Sequence, residues 1–296
     1  MMLYDWTPGA RAALPITTIT HESPLGNWTH SECVPPHLAH VVEKLWHFEG
    51  QMELLRERSF AKVFSEIILQ LGPQFREVCE DGSTGNLFPV ACAGGLTTAP
   101  SVIEAPATRC HVIGIQLHAE AAYQLLAASP AELANGTLSL ADALNVRTEH
   151  LADACYHAAT VAERFETVCR WIEQRLRERQ SAHAAVGWAA LQLRASQGAT
   201  AIATLQRQMS LTKSRFASLF REQIGVTPKY YGRMLRFRNA LSQLQSGHQL
   251  SDAALRAGYY DQAHMYRDFS EFACLTPADF VKANRFPGSL SLSEAG

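Results

Sequence analysis

Two groups of side chains in this chain have the chemistry and spacing to read a polymer of bases. Lys213, Ser214, Arg215 and Ser218, with Ala217 between them, form the first group. The second, Gln262, His264, Tyr266 and Arg267 beside Ala263, lies 49 positions further on and places polar residues at matching offsets. Short polar and cationic side chains on one helix face suit a helix lying in the DNA major groove, where bulky apolar groups would not fit. Gln can pair bidentately with adenine and Arg with guanine. Each residue alone reads more simply as a solvated surface position, but the paired arrangement argues against that.

The segments that must hold these groups repeat as well. Thr212, Phe216, Phe220, Gly225 and Thr227-Pro228 recur as Asp261, Met265, Phe269, Cys274 and Thr276-Pro277, and the copies end in Tyr231 and Phe280. A short helical unit present twice suggests two copies of one binding element. In the first copy Ile202, Leu205 and Met209 make a short apolar face. Thr212 is suited to cap the next helix, Phe216, Leu219 and Phe220 line its buried side, and Gly225 ends it. Thr227 then caps a long helix with Pro228 at its first position, where a missing N–H costs nothing. Tyr231, Met234, Leu235, Arg238 and Leu241 recur down one side of it, leaving Arg233 and Arg236 off that stripe to reach phosphates, and Gly247 closes it. In the second copy Ser251 caps Asp252–Ala257, Gly258 turns the chain, and Asp261 caps the helix that buries Met265 and Phe269.

The run from Gly258 to Phe269 with Leu275-Thr276-Pro277 resembles the second helix-turn-helix of the AraC/XylS family of transcription regulators, and the first unit is similar to that family's first. The resemblance covers residues 185–286. It implies a seven-helix module whose two recognition helices enter major-groove segments one turn, roughly 34 Å, apart. It also implies base reading by Ser214, Arg215 and Ser218 in the first unit and by Gln262, His264, Tyr266 and Arg267 in the second. Lys213, Arg233 and Arg236 are the phosphate candidates. The chain departs from the family pattern at Ser218, where a longer basic residue is frequent, and at Ser210 and Cys274, which replace turn glycines. Residues 34–145 also resemble a regulatory domain that precedes this module in some family members. The pieces that carry this are 71–76, Val112-Ile113-Gly114-Ile115 and 121–126.

Charge follows the same division. Net charge is −2 overall, but residues 1–186 hold 13 Lys/Arg against 21 Asp/Glu, and residues 187–286 hold 13 against 6. A basic third on an acidic remainder fits a polyanion-binding module. Upstream, 40–48, 64–71 and 110–117 read as strands punctuated by Gly50, Gly72-Pro73, Gly94-Gly95 and Pro106. Helices are expected near 119–127 and 140–144. Val161, Phe165, Val168, Ile172 and Leu176 form a helical stripe, read as packing between domains or as a dimer contact. Arg175, Arg177 and Arg179 cluster at its end, and Ser181 is placed to cap the next helix.

Other chemistry is thinly supported. His37, His40 and His47 are spaced by three and seven, which matches no metal motif, so no metal or other cofactor is expected. Seven cysteines form no C-x-x-C pair and read as reduced, mostly buried thiols. There is no G-x-S-x-G, P-loop or H-E-x-x-H. Trp46, Phe48, Phe64, Phe75 and Phe88 read as core in preference to an effector pocket.

The expectation is an α+β chain: a mainly β regulatory domain over 1–145, a helical linker over 146–184, an all-α double helix-turn-helix domain over 185–286 and a disordered tail over 287–296. Neither a signal peptide nor a membrane span is expected, so the chain is placed in the cytoplasm. The function is a sequence-specific transcription regulator, not an enzyme, whose N-terminal domain senses a small molecule or partner. Its partners would be promoter DNA, with a small-molecule effector, RNA polymerase and a second copy of the chain admitted. Two alternatives stay open: an enzyme, such as a thiol-based repair protein, with an accessory DNA-binding module, and a regulator controlled only by protein contacts.

Overall fold

The computed structural model describes residues 13–23, 26–53, 56–145, 149–178, 183–283 and 292–294. Strands dominate the first part. In chain order they are β1 (Thr17–Ser23), β2 (Gly26–Cys33), β3 (Val42–Met52), β4 (Arg56–Ser59), β5 (Phe64–Gln70), β6 (Arg76–Val78), β7 (Thr84–Leu87), β8 (Ala91–Gly94), β9 (Ser101–Glu104) and β10 (Cys110–His118). Two short helices, α1 (Ala119–Leu125) and α2 (Pro130–Leu133), lead to β11 (Thr137–Ser139), α3 (Leu140–Leu144), α4 (Glu149–His157) and the long α5 (Val161–Glu178). The strands form two antiparallel sheets, β1-β2-β3-β10-β5-β8-β11 and one ending in β4-β9-β6-β7.

The larger sheet has two working faces, because successive side chains alternate. One face presents Leu45, Ile67, Leu69, Ile113 and Ile115, all with essentially no exposure. They share a core with Phe165, Val168, Cys169 and Ile172 of α5. The helical stripe therefore packs into the core of the β-rich part. It neither seals a boundary between domains nor stands free for a second copy. The other face carries Trp46, Phe48 and Val112. Trp46 lies directly opposite Gly114 in β10. A Cβ at Gly114 would sit 1.9 Å from the indole, so only glycine lets the ring cross that strand.

The strand edges differ from the sequence reading in one instructive place. Gly50, read as a break, lies inside β3, which continues to Met52. The five aromatics read as core are each half-buried. Phe48 and Phe75 pack on the small cluster of Trp28, Met52, Ala105 and Cys110. Trp46 Nε1 donates to Glu66 at 3.1 Å.

Helices α6 (Ala184–Ala195), α7 (Ile202–Arg207), α8 (Lys213–Ile224), α9 (Pro228–Gln245), α10 (Leu250–Arg256), α11 (Gln262–Ala273) and α12 (Pro277–Lys282) make up the rest of the described body. Their core is built on Phe216, Phe220, Tyr231, Phe237, Phe269, Phe272 and Phe280. It also takes in Phe60, Ala61, Val63, Leu96 and Ala119 from the β-rich part. Arg179 and Ser181 lie outside the described residues, and α6 is capped instead by His183, whose ring accepts from the Ala185 N–H. Of the tail read as disordered, 292–294 form β12, paired with β4, and the remainder lies outside the described residues. Among the described residues no helix is long and apolar enough to cross a membrane.

Candidate nucleic-acid interface

The two polar groups begin two capped helices. Thr212 Oγ1 accepts from the Arg215 N–H at 3.3 Å and starts α8. Phe216, Leu219 and Phe220 turn inward. Lys213, Ser214, Arg215 and Ser218 are exposed, and Ala217 is half-buried. Gly225 ends the helix at φ 103°, and any Cβ there would come within 3.0 Å of the Pro130 carbonyl. Ser210 is not among the residues with positive φ, so the turn between α7 and α8 does not need the glycine it replaces.

The second unit repeats this construction. Asp261 Oδ1 accepts from the His264 N–H at 2.7 Å, and Met265 and Phe269 are fully buried. Gln262, Ala263 and Arg267 are exposed, whereas His264 and Tyr266 are half-buried. The His264 ring sits edge-on to Tyr259, 5.5 Å between centroids. Tyr266 and Arg267 line a shallow cleft with Cys274, Thr276 and Asp279. Cys274 takes the left-handed conformation, φ 52°, that the repeat gives to Gly225. The helix before this turn starts at Leu250, two residues earlier than the Ser251 cap implies, with no side-chain cap from Gln249.

The connecting helix departs from the sequence reading. Thr227 caps it, accepting from the Tyr230 N–H at 3.4 Å, with Pro228 at the first position. Arg233 was expected to reach phosphate, but it is committed inward. It donates to Asp268 at 2.6 and 3.1 Å and also to Glu271. Burial opposes its charge, and the bonds to Glu271 and Asp268 outweigh that and raise its pKa. Asp268 is itself fully buried and also accepts from the Tyr259 hydroxyl at 3.1 Å. Arg236 was the other off-stripe candidate. It donates to the Gly198 carbonyl at 2.7 Å and lies over the Tyr259 ring. Both guanidinium groups hold the module together. Lys213 remains exposed beside Ser214 and Arg215.

These internal pairs also temper the basic character of the module. Arg194 pairs with Glu120, Arg238 with Glu43 and Arg256 with Asp252. Lys213, Arg215, Arg221, Lys229, Arg267 and Lys282 are exposed cations that could meet a polyanion.

Local spacing does not reveal how closely the β-rich part holds this module. The Ala61 N–H donates to the Phe272 carbonyl at the end of α11, 3.1 Å away. Phe60 packs edge-on against Phe237 and Phe280. Helices α1 and α2 lie against α8. Ala131 of α2 faces Ala217, Ser218 and Arg221 across a shallow cleft. Ser214 and Arg215, at the opening turn of α8, lie outside that cleft.

Two parts of the chain match known families. Residues 205–283 match the family described as "Helix-turn-helix domain", and residues 33–139 match a "Domain of unknown function (DUF6597)". No curated protein matches the chain. Among solved structures, ToxT from Vibrio cholerae in its P21 crystal form is 8% identical, covers 80% of this chain and 98% of its own, and superposes with a TM-score of 0.48. ToxT from Vibrio cholerae strain SCE256 bound to an unsaturated fatty acid is 10% identical over 81% of this chain and 94% of its own, with a TM-score of 0.45. Taken with the paired, capped units described above, the domain matches identify residues 205–283 as an AraC-type helix-turn-helix domain of a DNA-binding regulator, carried behind an N-terminal domain with a family of its own.

Proposed function

We propose that α8 and α11 are the two recognition helices of a sequence-specific transcription regulator, and that the β-rich part sets how they are presented to promoter DNA. One observation carries this. Two capped helices in equivalent positions of a repeat bury their apolar faces in a shared core and leave Ser214, Arg215, Gln262 and Arg267 exposed. In this reading Gln262 and Arg267 supply bidentate base contacts, Arg215 and Ser214 read the other segment, and Lys213 holds phosphate. Ser218 contributes at the edge of the cleft facing Ala131. His264 and Tyr266 contribute at the edges of their exposed neighbours.

The N-terminal part acts through the surfaces that touch α8, α9 and α11. An effector or partner that favours one arrangement of Phe60, Ala61 and Glu43 would change DNA affinity by its differential affinity for the two arrangements. No catalytic role is assigned. The DNA-binding unit is taken as 185–286, and the segment 146–184 is grouped with the N-terminal core because α5 is buried there.

The test is selection of bound sequences from a random duplex pool, followed by anisotropy on the selected site at two salt concentrations. Two half-elements about one helical turn apart, bound with steep salt dependence, are expected. Absence of any enriched sequence under all effector conditions would overturn the reading.

A further inference from the structure

His47, Glu49 and His111 lie on the helix-facing side of the larger sheet, outside the DNA-binding surface. Glu49 and His111 are direct cross-strand partners on β3 and β10, and His47 is two residues from Glu49 on the same face. One ligand-type atom from each lies within 4.8 Å of the others. The two rings stand edge-to-face, 5.0 Å between centroids.

What distinguishes this cluster is unused hydrogen-bonding capacity at buried atoms. His47 is 1% exposed, and both of its ring nitrogens are buried without a partner. His111 Nε2 is buried without one too. Buried polar atoms are nearly always satisfied, and leaving one unsatisfied costs about 1–3 kcal/mol. Nothing in the apolar core around Leu45, Leu69 and Ile113 explains why two imidazoles should be kept there.

We propose that His47, Glu49 and His111 bind one divalent transition-metal ion of the zinc class through two imidazole nitrogens and a carboxylate. Two nitrogens and an oxygen are a common set for such ions, and they leave a fourth position for water or a small ligand. Tetrahedral bonds of about 2.0–2.1 Å bring ligand atoms to roughly 3.3 Å from one another, so modest side-chain rotations close the site. Glu49 at present accepts from Arg109 Nη2 at 3.0 Å. Arg109 is mostly exposed, so this pair is weak and displaceable. Arg164 of α5 is the opposing feature. Its charge acts on both imidazoles, and its Nε is buried without a partner. A cation must bind against that charge, which gives the site a sign by which to test it. The site does not rest on the DNA-binding reading.

The experiment uses the full chain, stripped with chelator and titrated with Co2+ and then Zn2+, with bound metal counted by elemental analysis. One ion per chain is expected, with a Co2+ spectrum free of thiolate charge transfer. Glu49→Gln and His111→Gln should each weaken binding at least about tenfold, with folding checked by circular dichroism. Glu49→Gln, at a half-exposed position, keeps the test open should His111→Gln fail to fold. Arg164→Gln should tighten binding. His150→Gln and His157→Gln, both at exposed positions, should change nothing. A thiolate band, unaltered binding in both site variants, or no saturable binding would overturn the proposal. So would weaker metal binding in Arg164→Gln accompanied by thermal stabilisation of the wild type with inorganic phosphate, which would mark an anion cradle instead.

Discussion

Arg238 of the connecting helix donates to the carboxylate of Glu43 at the start of β3. The two residues are 195 positions apart. Arg238 also lies over the Phe64 ring, 5.5 Å from its centroid. Arg194 of α6 makes a parallel contact, donating to Glu120 at 2.8 and 3.2 Å. The connecting helix is therefore keyed to the sheet by a charge pair at a half-buried boundary, where it is screened less than a surface pair.

Arg238→Ala and Glu43→Ala should each lower stability, with a coupling energy in the double-mutant cycle of about 1–2 kcal/mol, above the typical exposed pair. Urea unfolding followed by Trp fluorescence measures it. Strictly additive effects would show that the two residues do not act on each other.

Replacing Arg267 with Ala should cost about 1–3 kcal/mol of affinity for the selected site and relax a single base position. Lys213→Ala should instead weaken binding evenly across sequences and flatten the salt slope by about one. Anisotropy on a panel of single-base variants separates the two behaviours. Equal binding by wild type and the Arg267 variant would remove that residue from base reading.

Arg233→Ala tests an internal role against a phosphate role. Asp268 would be left as a buried carboxylate with only the Tyr259 hydroxyl, so destabilisation of about 2–4 kcal/mol is expected, near that for breaking a buried ion pair. The salt slope of DNA binding should not move. Unchanged stability with a shallower slope would return Arg233 to the phosphate list.

Cys274 carries a side chain at φ 52°, where most residues other than glycine are strained. Cys274→Gly should raise stability by about 0.5–1 kcal/mol, the gain being reduced by glycine's greater freedom when unfolded. The same variant should remove one of the two thiols expected to react readily with a disulfide reagent in the native protein, Cys79 and Cys274. The other five are buried. Burial pushes Cys33, Cys110 and Cys155 up to about 11 and Cys92 to about 12. Rapid native labelling of more than two thiols would contradict this.

The C-terminal module was legible because its signals are local. Caps at Thr212, Thr227 and Asp261, inward Phe216, Met265 and Phe269, and the turn at Gly225 each follow from a few neighbouring residues. The inward bonds of Arg233 and Arg236 were not legible for the converse reason. Their partners, Asp268 and the Gly198 carbonyl, lie 35 and 38 residues away in sequence, and only the packed helices bring them close. The α5 stripe was recognised as apolar, but what it faces depends on the sheet. Strands β1, β4 and β7 are mostly polar, so alternation is faint. His47 was weighed with His37 and His40, its neighbours in sequence. Its neighbours in space are Glu49 and His111, and no spacing rule spans that distance. His37 instead meets Glu173 of α5 at 3.1 Å, and His40 is exposed.

The bond from the Ala61 amide to the Phe272 carbonyl has a kinetic consequence. That proton can exchange with solvent deuterium only when the end of α11 parts from the segment before β5, so its lifetime clocks the opening of the two halves. A ligand that locks the halves together would lengthen that lifetime, and DNA that requires them to separate would shorten it. One amide thus reports both the input and the output of the regulator on a single time axis.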